Sequence, residues 1–316
     1  MATSSFKLCS SGTWNICRIF LCLMQVLATM AQPCTCLAQT SVVYPSSISD
    51  QDTRHLDLLE LLRSALDKTV TRFGPYTMSP SRLRMNEERS LVELKEGQLV
   101  NVVWSSTSRE AEREFIPVRI PLRKGLLGLR ISLIDGKNQA ALDRITTLEA
   151  LQTVKIGVGI GWMDNGVLQA NHLHKVSGNY DALFAMTAHD RFDLFPRGVS
   201  EVFNEFEIRR RSYPDLAIEK NLLIYYPWPY YFFVNKNNPA LAERLRVGLE
   251  TMIDDGTFDR IFIKYNGEAL RKADLSHRHI IALDNPDLPE LTPLAARYWM
   301  FPALIRTRSR SSAAKN

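Results

Sequence analysis

Hydrophobic residues follow two alternating patterns along the chain, and together these patterns predict an α/β protein. The apolar run at 99–104 is typical of a strand buried in a parallel sheet, and the mainly apolar segments 126–134 and 154–160 indicate two more strands. Other segments repeat apolar residues at helical spacing, as Leu58 and Leu62 do. Because the two patterns alternate, we expect βαβ units. The predicted strands are 42–44, 99–104, 126–134, 154–160, 174–177, 192–195 and 230–234, and the predicted helices are 58–70, 86–96, 166–171, 180–189, 199–210, 240–253 and 258–265.

The first 38 residues have the layout of a secretory signal peptide. Lys7 and Arg18 precede an uncharged stretch at 19–31, and Cys36-Leu37-Ala38 supplies the small residues of a cleavage site. The stretch has 13 residues, whereas a membrane-spanning helix needs about 20. A lipid anchor at Cys34 or Cys36 is a further interpretation, although neither cysteine follows a good lipobox. All five cysteines lie in the first 36 residues, so the exported chain lacks cysteine, which suits a periplasmic location.

The composition is that of an ordinary globular protein, with 316 residues, 45% hydrophobic and 23% charged. The formal net charge is +5, and removing the leader with Lys7 and Arg18 leaves +3, which is too small to indicate nucleic-acid binding. Much of the excess lies in residues 303–316, where four basic residues stand among serine, threonine and alanine. We expect this basic tail to be disordered.

Three phrases resemble the type II periplasmic solute-binding proteins, in particular solute-binding protein family 3, whose members bind amino acids for ABC transporters. YDALFAMTAHDRFD (180–193) is similar to that family's helix and strand Y-x-x-L-x-x-L-x-x-G-R-x-D. The segment 230–265 is similar to its return strand, Lys-Asn-Asn-Pro helix start and aromatic helix, and TSREAER (107–113) stands where the family has Thr-x-x-Arg. The chain departs from the family at 115–121 and 161–164, so the loop that grips an amino acid is altered and the chain is a divergent member.

The resemblance implies a periplasmic-binding-protein type II fold, with two α/β lobes joined by two crossover strands. Lobe 1 is expected to comprise 39–130 and 232–302, and lobe 2 to comprise 131–231. Ligands of such sheets bind outside the carboxyl ends of the strands, so we expect the solute in the cleft between the lobes. Hinge closure around the solute would give a change of shape that a membrane permease can detect.

Arg197 is the first candidate ligand-binding residue. It follows the predicted strand 192–195 and precedes a predicted helix, so a guanidinium beside free helix amides could bind a carboxylate or phosphate. A salt bridge from Arg197 to Glu201 or Glu205 explains the same pattern, and the sequence leaves both interpretations open.

The remaining candidates follow predicted strands in each lobe. Ser105, Ser106 and Thr107 come directly after a buried strand, although serines in this position are commonly turn or cap residues. Arg113 or Arg109 could add a charged contact. In the other lobe, the altered loop offers a stacking ring and a carboxylate, with ordinary surface residues as the alternative. A further ring, from Tyr44 or Trp228, could cap the ligand. The set of predicted ligand-binding residues is Arg197, Ser105, Ser106, Thr107, Arg113, Trp162, Asp164 and Tyr44.

Other site chemistries are not favoured by the sequence. The glycines at 157, 159 and 161 have G-x-G-x-G spacing, which does not match a dinucleotide fingerprint. His172 and His174 lack neighbouring ligands, so no metal or other cofactor is expected. No motif for a nucleophilic or metal-dependent hydrolase is present. A periplasmic dehydratase on this fold needs only one carboxylate, for which Glu201 or Asp164 would serve.

These observations predict an exported, monomeric solute-binding protein that captures a small anionic or zwitterionic, amino-acid-like solute, without enzymatic activity. Its partners would be the solute and a membrane permease of an ABC transporter. An orphan sensory protein that presents its ligand to a membrane receptor is the second hypothesis, and the dehydratase is the third.

Overall fold

The computed structural model describes residues 39–47, 54–293 and 295–301. The predicted signal peptide, 1–38, and the predicted basic tail, 303–316, lie outside these residues. Within the described part of the chain, no helix is both long and apolar enough to cross a membrane.

The described residues form a mixed α/β structure. The strands are β1 Thr40–Ser46, β2 Tyr76–Arg84, β3 Val102–Ser106, β4 Ile116–Val118, β5 Leu129–Asp135, β6 Lys155–Gly159, β7 His174–Gly178, β8 Phe195–Gly198, β9 Leu216–Ile218, β10 Leu222–Tyr225, β11 Tyr230–Val234 and β12 His279–Ala282. The helices are α1 Leu56–Asp67, α2 Val70–Phe73, α3 Glu87–Glu96, α4 Arg109–Glu114, α5 Gln139–Leu142, α6 Leu148–Leu151, α7 Asp164–Ala170, α8 Tyr180–Ala188, α9 Val199–Arg209, α10 Pro239–Asp254 and α11 Thr257–Ala273.

We call lobe 1 the part of the structure that contains the parallel pair β1–β2 and the three-stranded antiparallel sheet β3–β11–β4, with the helices packed on them. The apolar face predicted for α1 packs on this lobe, where Leu58, Leu61 and Leu62 are fully buried. Helix α10 crosses α1 so closely that a Cβ added at Gly248 would lie 2.2 Å from the carbonyl oxygen of Ala65. Such contact between two helices requires glycine at this position.

Lobe 2 carries a mixed sheet in the order β12–β10–β5–β8, with β9 also paired to β5, and a parallel pair, β6–β7. Strand β5 is antiparallel to β8, β9 and β10, whereas β10 and β12 are parallel. Among pairs formed by two predicted strands, β6–β7 is parallel as predicted, whereas β3–β11 and β5–β8 are antiparallel, so the prediction of a parallel sheet is wrong there. Apolar runs are buried in both kinds of sheet, so they do not report strand direction.

The C-terminal part of the chain departs from the expected boundaries. Helix α11 places Phe258 and Ile261 in the hydrophobic core of lobe 1 but Phe262 and Ala273 in that of lobe 2. Strand β12 then pairs with β10, in the lobe 2 sheet, although 232–302 was expected to belong to lobe 1. The chain therefore passes between the lobes again after the two predicted crossings.

Candidate functional site

The polar residues at the end of β3 already bond to other parts of lobe 1 and to Trp228. The hydroxyl of Ser105 donates to Oε1 of Glu87 at 2.6 Å, and the indole Nε1 of Trp228 donates to Oγ of Ser106 at 2.6 Å. The hydroxyl of Thr107 donates to Glu112 at 2.9 Å. Ser105 and Ser106 were predicted to follow the strand but are the last two residues of β3, and Thr107 alone lies beyond it. All three hydroxyls have internal partners.

The predicted arginines of lobe 1 lie apart from this edge network. Arg109 is the first residue of the short helix α4, and Arg113 lies one residue before its end; both are exposed. The backbone oxygen of Arg113 accepts a hydrogen bond from Lys236. No contact in the described residues brings either guanidinium to Ser105 or Ser106.

A cavity of about 200 Å³ lies at the ends of β1 and β3. Tyr44 is half-buried beside it, with its ring centroid 6.2 Å from that of Trp104, which forms one wall. The cavity combines apolar and polar walls, as small-molecule sites commonly do. It is lined by Pro45, Ser46, Ser47, Arg54, His55, Leu56, Leu59, Met85, Asn86, Glu87, Ser90 and Trp104.

Arg197 is buried and paired. Strand β8 includes Arg197 instead of ending before it, and the guanidinium donates from Nε and Nη2 to the two oxygens of Glu205, at 2.6 and 2.8 Å. Nη2 also lies 3.2 Å from Oε2 of Glu201. The salt bridges to Glu201 and Glu205, which the sequence offered as an alternative, are therefore present. A contact between Arg197 and a ligand remains a prediction.

Trp162 packs in lobe 2 against the arginine. Its ring centroid lies 4.7 Å from the guanidinium carbon of Arg197, and its ring stacks on Phe195. A Cβ added at Gly159 would lie 2.1 Å from the Trp162 ring, and one at Gly157 would lie 2.3 Å from Phe192. These two glycines in the G-x-G-x-G run thus make room for aromatic rings.

Asp164 begins α7 and belongs to a group of charged side chains that the sequence did not predict. Its Oδ1 lies 3.1 Å from Nη2 of Arg130 and accepts a hydrogen bond from the hydroxyl of Tyr226. The rings of Tyr226 and Trp228 flank the Arg130 guanidinium, with centroids at 5.4 and 5.3 Å. The available signal was a single arginine inside the apolar run 126–134.

Arg130 is a buried cation with spare donor capacity. It is 7% exposed, and among the described residues its Nε has no hydrogen-bond partner. Burial alone would lower the pKa of Arg130, but Asp164, Tyr226 and Glu201 raise it above the usual value. The guanidinium is therefore charged, and one buried donor is unused. A buried polar group left in this way costs free energy.

Glu201 lies among the arginines but remains 41% exposed. Its Oε2 accepts from the backbone N–H of Gly198 at 3.0 Å and lies 3.9 Å from Nη1 of Arg130. Burial by the surrounding protein would raise the pKa of Glu201, but the charges of Arg197 and Arg130 lower it below the usual value. Glu201 is therefore a partly exposed carboxylate that lies close to the guanidinium groups of Arg197 and Arg130.

Arg123 completes the cluster from the connection between the lobes. Its Nε and Nη2 donate to Asp57 at 2.6 and 2.8 Å, and Nη2 also donates to the backbone oxygen of Arg54, beside the lobe 1 cavity. Burial opposes its charge, whereas Asp57, Tyr230 and Glu201 raise the pKa of Arg123. We call Arg123, Arg130, Arg197 and Glu201 the arginine cluster.

No family model matches the chain, and neither does any curated protein. Among solved structures, the chain is similar to the probable amino-acid ABC transporter extracellular-binding protein YtmK from Bacillus subtilis, with 18% identity, 73% of this chain and 99% of that chain covered, and a TM-score of 0.51. It is also similar to YckB from Bacillus subtilis, with 16% identity, 77% and 97% coverage and a TM-score of 0.49. An arginine-specific periplasmic binding protein from Salmonella typhimurium has 12% identity, 72% and 99% coverage and a TM-score of 0.46. The likeness to YtmK shows that the chain has the fold of the type II periplasmic binding proteins.

Proposed function

We propose that this chain is an exported solute-binding protein that holds a small zwitterionic, amino-acid-like solute between its lobes. The observation that carries the proposal is the pairing of Arg130, a buried guanidinium with an unused donor, with the exposed carboxylate of Glu201. The fold supports it, because a protein of the same fold is described as an amino-acid ABC transporter extracellular-binding protein.

Arg130 and Glu201 carry opposite charges but form only a loose ion pair, so each could bind a charged group of the solute instead. Nη1 of Arg130 and Oε2 of Glu201 are 3.9 Å apart, which is long for a hydrogen-bonded ion pair. A ligand carboxylate would pair with Nη1 of Arg130, the nitrogen that faces Glu201, and a ligand ammonium would bind Glu201. A zwitterion would thus replace one loose pair with two closer ones.

In our proposal, the other predicted residues position the groups that contact the solute and do not bind it themselves. Arg197 orients Glu201, and Trp162 covers Arg197. In lobe 1, the cavity would hold the body of the solute. Ser105 and Tyr44 would act through its lining residues Glu87 and Trp104, which they contact. Arg113 is not part of the proposed site, because it lies on the exposed face of α4.

Delivery to a membrane permease from the periplasm is the role that this proposal implies, and presentation to a membrane receptor is its alternative. The periplasmic dehydratase is a further alternative. The charges of Arg197 and Arg130 lower the pKa of Glu201 despite its burial, which disfavours this carboxyl as a general acid but not as a general base.

The experiment is a thermal-shift screen of the purified chain against amino acids, organic acids and small phosphates. A solute that binds only the folded state raises the melting temperature as its concentration exceeds the Kd. We expect amino acids to raise it and simple phosphates to leave it unchanged. A screen in which no amino acid stabilises the protein would refute the proposal.

A further inference from the structure

The connection that returns from lobe 2 to lobe 1 carries an indole ring that contacts both lobes. Trp228 lies between Pro227 and Pro229, after β10 and before β11, and it is 8% exposed. Its Nε1 donates to Oγ of Ser106, at the end of β3 in lobe 1, at 2.6 Å. Its ring centroid lies 5.3 Å from the guanidinium carbon of Arg130, on β5 in lobe 2. One side chain therefore links the end of a lobe 1 strand to a member of the arginine cluster.

The backbone beside Trp228 has little freedom to move. The other connection between the lobes crosses it at Gly128, where an added Cβ would lie 1.9 Å from the backbone oxygen of Tyr226 and 3.3 Å from the backbone nitrogen of Trp228. The backbone N–H of Tyr226 also donates to the oxygen of Gly128 at 3.1 Å. The two prolines that flank Trp228 have a fixed φ angle. The contacts of the indole ring itself therefore decide how it is oriented.

Three contacts orient the indole of Trp228. They are the hydrogen bond to Ser106, the ring of Tyr226 at 5.5 Å between centroids, and the guanidinium of Arg130. A hydrogen bond weakens steeply when its angle changes, so the bond to Ser106 fixes the tilt of the indole. The guanidinium of Arg130 lies against the rings of both Trp228 and Tyr226. The tilt of the indole therefore limits the directions in which Arg130 can present its nitrogens.

We infer that Trp228 is a positioning residue for solute binding, which holds Arg130 so that Nη1 faces Glu201 and does so through its hydrogen bond to Ser106. The inference rests on the proposed function, in which the solute carboxylate pairs with Nη1 of Arg130. Ser106 then affects the affinity from the other lobe without touching the solute. This role differs from the direct contact that the sequence predicted for Ser106.

A double-mutant cycle separates the two roles of Ser106. Ser106→Ala removes the acceptor, Trp228→Phe removes the donor but retains an aromatic ring, and a third variant carries both changes. Two residues that act through one hydrogen bond have non-additive effects, whereas the effects of independent residues add. Thr251→Val is the control, because the hydroxyl of Thr251 donates to the backbone oxygen of Val247 within α10, in the same lobe as Ser106.

Affinities for leucine, glutamine, phenylalanine and arginine are measured by isothermal titration calorimetry. For each amino acid that binds the unsubstituted protein, we expect Ser106→Ala to weaken binding about fivefold, the usual effect of one lost hydrogen bond. Trp228→Phe should weaken it about tenfold, since the ring beside Arg130 also becomes smaller. The double variant should bind no more weakly than Trp228→Phe, and Thr251→Val should bind as the unsubstituted protein does.

The indole N–H of Trp228 gives a second readout, which a purely structural role would not change. In protein labelled with 15N-tryptophan, its resonance is the one missing from the spectrum of Trp228→Phe, or of Trp228→Tyr if the phenylalanine variant does not fold. We expect this resonance to move when a bound amino acid is added to the unsubstituted protein, and to lie at lower proton frequency in Ser106→Ala.

Additive effects in the cycle, which direct contact of Ser106 with the solute would produce, would overturn the inference and leave the proposed function standing. Unchanged affinity in Ser106→Ala, or an indole resonance that does not respond to the amino acid, would do the same. If the unsubstituted protein binds none of the four amino acids, the proposed function and the inference both fail. Urea unfolding of each variant confirms that the affinities are those of folded protein.

Discussion

The guanidinium of Arg197 donates to both carboxylate oxygens of Glu205, at 2.6 and 2.8 Å, within lobe 2. Both side chains are largely buried, at 7% and 12% exposure. A buried ion pair of this kind is expensive to break, because removing one partner leaves the other charge unpaired in a poorly solvated place.

Arg197→Ala should therefore destabilise the protein by about 3 kcal/mol, as measured by urea unfolding. Arg246→Ala is the control, since Arg246 pairs with Glu243 on an exposed helix face, and it should cost no more than about 1 kcal/mol. If the two substitutions lowered the free energy of unfolding equally, the buried pair between Arg197 and Glu205 would contribute no more to stability than an exposed pair.

Glu201 should make the free energy of unfolding depend on pH in the acidic range. Its folded-state pKa is lowered by Arg197 and Arg130, so its contribution to stability is fully present above the pKa of the unfolded chain, about 4.3, and is lost as pH falls through the lower folded-state value. The free energy of unfolding of the unsubstituted protein should thus fall towards that of Glu201→Gln between about pH 5 and pH 3. The measurement is urea unfolding at several pH values, with Glu207→Gln as control, because Glu207 lies on the same helix but pairs with Arg210 on an exposed face. A difference that stays constant over this range would contradict the assignment.

The C-terminal segment, residues 274–293 and 295–301, contacts both lobes. Strand β12 pairs with β10 in lobe 2, whereas Tyr298 donates to Glu250 of α10 in lobe 1 at 2.5 Å. The ring of Trp299 covers Gly125, in the connection between the lobes. The sequence resemblance implies hinge closure. Such a movement would have to break or shift these contacts.

We expect this segment to keep the two lobes in one orientation in the absence of solute. Residues 37–316 contain no cysteine, so Val92→Cys and Ile208→Cys place one exposed label on each lobe. Double electron–electron resonance should give a single narrow distance distribution, which Trp299→Ala should broaden and Arg246→Ala should not. Two separate distances before any substitution of Trp299 would show that the segment does not restrain the lobes.

The sequence predicted the long helices better than the short strands. Helices α1, α9 and α10 follow clear apolar periodicity, and their observed bounds lie close to the predicted ones, whereas α11 extends to Ala273, well beyond its predicted end at 265. Strand β2 was missed, because most of its side chains are exposed and it contains Pro80. Strand β12 was missed because its four residues carry too short a pattern to detect.

The candidate site was only partly predictable for a related reason. The pair between Arg197 and Glu205 is local on the chain, so it could be anticipated as an alternative. Arg130 meets Asp164 from a distant part of the sequence. No local pattern encodes that contact. Trp162 and Asp164 were predicted from the sequence as ligand-binding residues. In the structure Trp162 contacts Arg197 and Asp164 contacts Arg130.

The role of Arg130 in binding is tested by titration calorimetry of the Arg130→Met and Arg113→Met variants with an amino acid found in the screen. We expect Arg130→Met to weaken binding by about 2 kcal/mol or more, roughly thirtyfold, because the ligand carboxylate loses its buried partner. Arg113→Met, on the exposed face of α4, should leave the affinity unchanged. Unchanged affinity in a folded Arg130→Met variant would show that Arg130 does not bind the solute.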